Sequence, residues 1–220
     1  MNKKKSSTEA DRLNSARLII GNSMDTPYIA ESLARFGYDR PKLEEGESLL
    51  TAAEALVSRH KKEYGDQYAA TDTMHKSHGE AHALYMQHVK LARMALKNDP
   101  GLSESLQLQG ERKKTIGEWI NQAGIFYENA LASAEIKAAL SSFGIDETAL
   151  ERGKALVNEV VKAQAIQLKE MGEAQSATLA KDKAMKALDE WVSGLRAVAR
   201  IAITDDPQLL EALGIMIPSN

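Results

Sequence analysis

Three histidines are spaced so that a helix would bring them onto one face. His75, His78 and His82 are followed by His88 six residues further on. Steps of three and four residues keep side chains within about 60° of one another around a helix. Imidazoles four residues apart can share a zinc, nickel or copper ion. The spacing therefore predicts a divalent transition-metal site on His75, His78 and His82, with Asp72 as a candidate further ligand.

The second half of the chain provides a control on this hypothesis, because it repeats the first half. The equivalents of these four histidines, 107 positions later, are Asp182, Met185, Asp189 and Leu195. Positions 78 and 88 are therefore apolar in the copy and predicted to be buried, whereas positions 75 and 82 are polar and predicted to lie on an exposed flank. This division weakens the metal hypothesis. The Glu-x-x-His pairs of di-iron bundles are also absent from the sequence.

The duplication is visible in short matching segments. Leu33…Phe36-Gly37 returns as Leu140…Phe143-Gly144, and Lys62-Glu63-Tyr64-Gly65 returns as Lys169-Glu170-Met171-Gly172. The matches share one offset without a gap, which is the sign of an internal repeat. The sequence therefore predicts a first helical repeat over 8–107 and a second over 108–220, with 1–7 as a flexible tail.

Apolar residues recur at helical spacing throughout both repeats, and no segment shows sustained strand alternation. We interpret Gly65 and Gly172 as the bends of two long helical hairpins, over 41–98 and 148–205. The predicted fold is an all-α, internally duplicated antiparallel helical bundle, in which two pseudo-symmetric halves each contain a long hairpin plus shorter helices. The halves are expected to pack as one compact unit, with two tandem three-helix bundles as the alternative.

Local signals at the helix ends support these boundaries. Gly37, between two aromatic residues, predicts a left-handed helix end, and Asp39 after it is a candidate N-cap for the long segment. Asp39 and Arg93 lie almost equally far from Gly65, so a hairpin would bring them together as an ion pair. The alternative is that Asp39 only caps the helix and Arg93 is solvated.

Composition excludes several classes of protein. The chain has no cysteine and a net charge of −3, so disulfides and thiolate chemistry are excluded and general binding of nucleic acid is disfavoured. No stretch approaches the roughly 18 to 20 apolar residues of a membrane span. The basic start is not followed by the apolar core of a signal peptide. We expect a cytoplasmic protein that binds neither nucleic acid nor membrane.

Two functional hypotheses follow. The first is a non-catalytic helical scaffold or protein–protein interaction module, which binds a protein partner or associates with itself, for example as a homodimer. It rests on the even distribution of charge and on the absence of a phosphate-binding loop, a nucleophile elbow and a His-Glu-x-x-His motif. No catalytic residue or cofactor is predicted, and Trp119 and Trp191 are assigned to the core. The alternative is a metal-binding bundle that uses His75, His78 and His82.

Overall fold

The computed structural model describes residues 7–204 and 206–216, and in these ranges the chain forms eight helices. They are α1 (Glu9–Asp25), α2 (Pro27–Ala34), α3 (Arg40–Ala95), α4 (Pro100–Ser105), α5 (Ile116–Ala132), α6 (Ala134–Ser141), α7 (Glu147–Ala202) and α8 (Gln208–Ala212). These residues contain no strand, so the all-α prediction is confirmed. Of the predicted tail, residues 1–6 lie outside the described ranges. Among the helices described, none combines the length and the apolar character that a membrane span requires.

The predicted hairpins are wrong, because α3 and α7 are each one continuous helix of 56 residues. Gly65 and Gly172 lie in the middle of these helices, and neither has a positive φ. A glycine inside a helix costs only about 1 kcal/mol relative to alanine and leaves the backbone hydrogen bonds intact. Buried residues of α3 on both sides of Gly65, such as Val57 and Met74, stabilise the helix by more than that.

The predicted ion pair between Asp39 and Arg93 is wrong for the same reason. Because α3 does not turn back, these residues stand near opposite ends of one helix. The Asp39 carboxylate accepts the backbone N–H of Lys42 at 3.1 Å, as an N-cap does. The Arg93 guanidinium donates from Nε to the carbonyl of Leu108 at 2.8 Å, in the loop that follows α4.

The helix ends follow the local signals. Gly37 and Gly144 have φ of 84° and 78°, the left-handed conformation that glycine adopts without strain. The residue after Gly37 folds back, and its N–H donates to the carbonyl of Leu33 at 3.1 Å. Asp99 caps α4, where its side chain accepts the N–H of Leu102 at 2.9 Å. The predicted left-handed helix end at Gly37 is confirmed.

Helix bounds recur along the chain with the offset seen in the sequence. Helices α5, α6 and α7 begin at the positions equivalent to the starts of α1, α2 and α3. The paired helices also have equal lengths of 17, 8 and 56 residues. Each half of the chain therefore shows the same succession of a medium, a short and a long helix.

The chain divides into two compact units that cut across the predicted repeats. Unit 1 comprises the chain up to Tyr64 and from Glu173 onwards, and unit 2 comprises Gly65–Gly172. Each unit therefore contains half of α3 and half of α7. The core of unit 1 draws on α1, α2, α3, α7 and α8, and the core of unit 2 draws on α3, α5, α6 and α7.

A glycine makes room for an aromatic ring in each core. In unit 1, a Cβ at Gly46 would lie closer than 3.0 Å to the ring of Trp191, and in unit 2 a Cβ at Gly153 would lie equally close to Tyr127. These two glycines occupy equivalent positions of the sequence repeat. The rings that cover them come from different helices, since Trp191 belongs to α7 and Tyr127 to α5. The two units therefore use equivalent gaps but fill them with different side chains.

Candidate functional site

The histidines lie on the part of α3 that belongs to unit 2. His75 is exposed, His78 and His82 are half-buried, and His88 is buried at 4% exposure. The predictions that position 75 is exposed and position 88 buried are confirmed. Position 82 is more enclosed than its polar counterpart Asp189 suggested, and the reason is a contact from α5.

His82 is held by an indole. The Nε1–H of Trp119 donates to Nδ1 of His82 at 2.9 Å. Trp119 is 1% exposed, so its N–H has no access to water and depends on this acceptor. An imidazole that accepts at Nδ1 and is neutral carries its proton on Nε2. The contact therefore sets the tautomer of the neutral His82 ring.

His78 packs against the same indole. Its ring lies 4.6 Å from the Trp119 ring in an edge-to-face arrangement and 5.5 Å from the His82 ring. Burial lowers the pKa of His78 below its ordinary value, and the neighbouring imidazoles His82 and His75 lower it further. A proton added to His78 would place a positive charge in a desolvated environment. It would also lie close to any charge on His82 or His75. His78 is therefore a neutral packing partner at neutral pH.

His88 forms a separate contact deeper in unit 2. Its Nδ1 lies 3.2 Å from the hydroxyl of Tyr127, which is fully buried. Burial lowers the pKa of His88 and raises the pKa of the Tyr127 hydroxyl. The hydroxyl therefore keeps its proton and can donate it to the neutral imidazole. The pair is a satisfied polar contact within the core.

The geometry does not bring the three predicted ligands into a metal site. Among the described residues, His75, His78 and His82 do not form a group whose ligand atoms all lie within 4.8 Å of one another. Nδ1 of His82 accepts from Trp119, and binding a metal through Nε2 instead would move the proton to Nδ1, against the indole donor. Asp72 pairs with Lys76 at 2.6 Å on the exposed face.

The partner of His82 could not be found from the histidine spacing. Trp119 lies on a different helix, α5, and it is buried in the core as the sequence predicts. One signal is nevertheless present in the duplication. In unit 1, Arg12 of α1 pairs with Asp189 of α7, and these two positions are the equivalents of Trp119 and His82. The same contact thus joins equivalent positions in both units.

Unit 2 also carries a surface groove between α5 and α7. Its cavity of about 230 Å³ is lined by apolar and polar residues in similar measure: Ile120, Asn121, Gly124, Ile125, Glu128, Val157, Asn158 and Val161. Val161 is 42% exposed, and further along α7 Ile166 and Leu168 are 55% and 60% exposed. Leu168 lies seven residues after Val161 and so on the same face of α7, whereas Ile166 lies on a different face.

One glycine of α5, Gly124, lines this groove, and Gly117 lies seven residues before it. A Cβ placed at Gly117 or Gly124 would meet nothing within 4 Å, so packing inside unit 2 does not require glycine at either position. Gly117 is the second residue of this 17-residue helix, whereas Gly124 lies in its interior and costs about 1 kcal/mol relative to alanine. What they provide is a bare helix surface that another chain can approach closely.

Comparison of the chain with models of protein families, with curated proteins and with solved structures gives no match.

Proposed function

We propose that the protein is a non-catalytic helical scaffold that associates with a second copy of itself. The observation that carries the proposal is the groove of unit 2, which Ile125 of α5 and Val161 of α7 both line. A groove between two helices can receive a further helix, and Ile125 and Val161 offer apolar contacts to it. Exposed Leu168 extends the same surface along α7.

The charges at the rim favour a second copy as the occupant. Oε1 of Glu128, on α5, lies 3.9 Å from Nζ of Lys154, on α7, and the two side chains are 63% and 41% exposed. A twofold interface brings one patch against itself, so it must be complementary to itself. A patch with apolar side chains and both signs of charge meets that requirement, since each Glu128 can face the Lys154 of the other copy.

The histidine cluster supports a non-catalytic role. Nδ1 of His82 accepts from Trp119, and His88 is buried with Tyr127, so both imidazoles make packing contacts within unit 2. General acid–base catalysis needs a group that can reach the reacting atom and change its protonation state. In unit 2 these groups instead complete the packing between α3 and α5.

We also infer that an ancestral half was duplicated to give an antiparallel helical bundle. Equal helix lengths, a constant offset and the paired glycines Gly46 and Gly153 support this origin. Relatives of the chain should then keep the same offset between their two halves. Relatives in which the two halves carry unrelated helix lengths would contradict it.

Self-association can be tested on the full chain by analytical ultracentrifugation and chemical cross-linking over a range of concentrations. We expect a monomer–dimer equilibrium in which Val161→Glu weakens association at least about tenfold, because a charge would be buried in an apolar contact. Ile201→Glu is the matched control, since Ile201 is also on α7 and is 62% exposed but lies outside the groove. A monomer at all concentrations, or equal effects of both variants, would reject the groove as the interface.

A further inference from the structure

Unit 1 contains a polar cavity that the proposed self-association does not use. It lies between α1 and α7 and has a volume of about 220 Å³. Each helix contributes one arginine to its wall, Arg12 from α1 and Arg196 from α7, and Ser15 and Asp189 are also part of the lining. The buried side chains of α1 and α7 that complete it are apolar: Ala16 and Val192.

The charges in this cavity do not cancel. Arg12 and Asp189 form a two-point ion pair, with Nε donating to Oδ1 at 3.2 Å and Nη2 donating to Oδ2. Arg196 is half-buried, and its Nη2 donates to the hydroxyl of Ser15 at 2.5 Å. Within the described part of the chain Arg196 has no carboxylate partner. The lining therefore carries one uncompensated positive charge.

Several hydrogen-bond donors remain available in the cavity. A guanidinium has five N–H groups, and Arg196 uses one of them on Ser15. The Ser15 hydroxyl accepts that bond and can still donate its own hydrogen. The outer N–H groups of Arg12 are likewise not consumed by the pair with Asp189. Charge and donors together are suited to an oxyanion.

Comparison with unit 2 indicates that this place in the fold does not require the two arginines. The equivalents of Arg12, Ser15, Asp189 and Arg196 in the other copy of the repeat are Trp119, Gln122, His82 and Val89. In unit 2, Trp119, Val89 and Gln122 are all buried, and they fill the equivalent place with core. Enclosing a guanidinium without a charged partner costs free energy. A bound anion would offset that cost in unit 1.

We propose that this cavity binds a small molecule carrying a single carboxylate. The planar fork of a guanidinium matches a carboxylate with two parallel hydrogen bonds, and Arg196 presents that fork beside the Ser15 hydroxyl. A phosphate dianion would bring a second negative charge close to Asp189, which the single excess positive charge cannot offset. The volume corresponds to roughly seven water molecules at about 30 Å³ each, which suits a short acid whose hydrocarbon part contacts Val192.

The test is a titration of the full chain with sodium butanoate, followed by the side-chain Nε–H signals of arginine in NMR and by the melting temperature. Sodium chloride at equal ionic strength and inorganic phosphate are the comparison salts. We expect butanoate to shift the Arg196 signal saturably and to raise the melting temperature with concentration. Phosphate should bind more weakly than butanoate.

Arg196→Gln should weaken butanoate binding about ten- to a hundredfold, because a charge-assisted hydrogen-bond pair is lost. Arg200→Gln is the control, since it removes the same charge from an exposed position one turn further along α7. Ser15→Ala provides a second, milder variant and should weaken binding by about tenfold. No response beyond that of chloride, equal losses in the Arg196 and Arg200 variants, or tighter binding of phosphate would each overturn the assignment.

Discussion

The close approach between Gly153 and Tyr127 predicts how unit 2 responds to one added methyl group. A Cβ at position 153 would lie closer than 3.0 Å to the ring of Tyr127, whereas carbon atoms in contact normally stay about 3.5 to 4.0 Å apart. Tyr127 is fully buried, and its hydroxyl is 3.2 Å from Nδ1 of His88. The ring cannot yield to the methyl group without disturbing that polar contact.

The magnitude follows from three opposing contributions. Overpacking of this kind costs about 1 to 3 kcal/mol, and loss of the contact with His88 adds about 1 kcal/mol. The higher helix propensity of alanine returns about 1 kcal/mol. Gly153→Ala should therefore lower the free energy of unfolding by about 1 to 3 kcal/mol. In a chain of this size each kcal/mol lowers the melting temperature by about 2 to 4 °C.

Gly172→Ala is the matched control, because it makes the same substitution in the same helix. A Cβ there meets nothing within 4 Å, so this variant should be more stable than the wild type by about 0.5 to 1 kcal/mol. Urea unfolding followed by circular dichroism measures both variants. If Gly153→Ala is stabilised as much as Gly172→Ala, the tight contact with Tyr127 does not exist and the packing of α5 on α7 is wrong.

Three further predictions concern the histidines of unit 2. Burial lowers the folded-state pKa of His78 and His88 below 6.5, so the unfolded chain binds more protons below that pH. Their contribution to stability is therefore complete above about pH 6.5 and is lost as the pH falls below it. His88→Gln should reduce this loss when the free energy of unfolding in urea is measured against pH. An unchanged pH profile in that variant would contradict the argument. Trp119→Phe should cost about 1 to 3 kcal/mol, because it leaves Nδ1 of His82 without its donor, and much of that cost should vanish in a His82→Ala background. Micromolar zinc or nickel should raise the melting temperature of the wild type no more than that of His82→Ala, and a rise lost in that variant would restore the metal hypothesis.

The sequence predicted the helix ends better than the course of the long helices. Gly37 and Asp39 lie at positions where backbone geometry depends on neighbours within a few residues, and both behave as predicted. A glycine is typical of a helix end, yet α3 continues through Gly65. The difference is energetic, since one interior glycine costs about 1 kcal/mol, and buried side chains on both sides of it contribute more.

The histidine face was predicted in part for a related reason. Helical spacing and the comparison with Asp182 and Leu195 correctly indicated that His75 is exposed and that His88 is buried. The state of His82 depends on Trp119, which approaches from a different helix, and no local pattern encodes that contact. The pair between Arg12 and Asp189 in unit 1 points to the contact between Trp119 and His82 in unit 2, because each residue of one pair lies 107 positions from its equivalent in the other.

The continuity of α3 through Gly65 is the claim on which the division into units depends, and a distance across that residue tests it directly. The chain has no cysteine, so a double variant with Ser58→Cys and Thr73→Cys can carry spin labels at these two positions and nowhere else. Both positions are exposed. Fifteen residues of α-helix rise by about 22 Å, and pulsed electron paramagnetic resonance should give a backbone separation near that value. A hairpin bent at Gly65 would place the two positions on facing arms about 8 to 10 Å apart, and that result would contradict the structure.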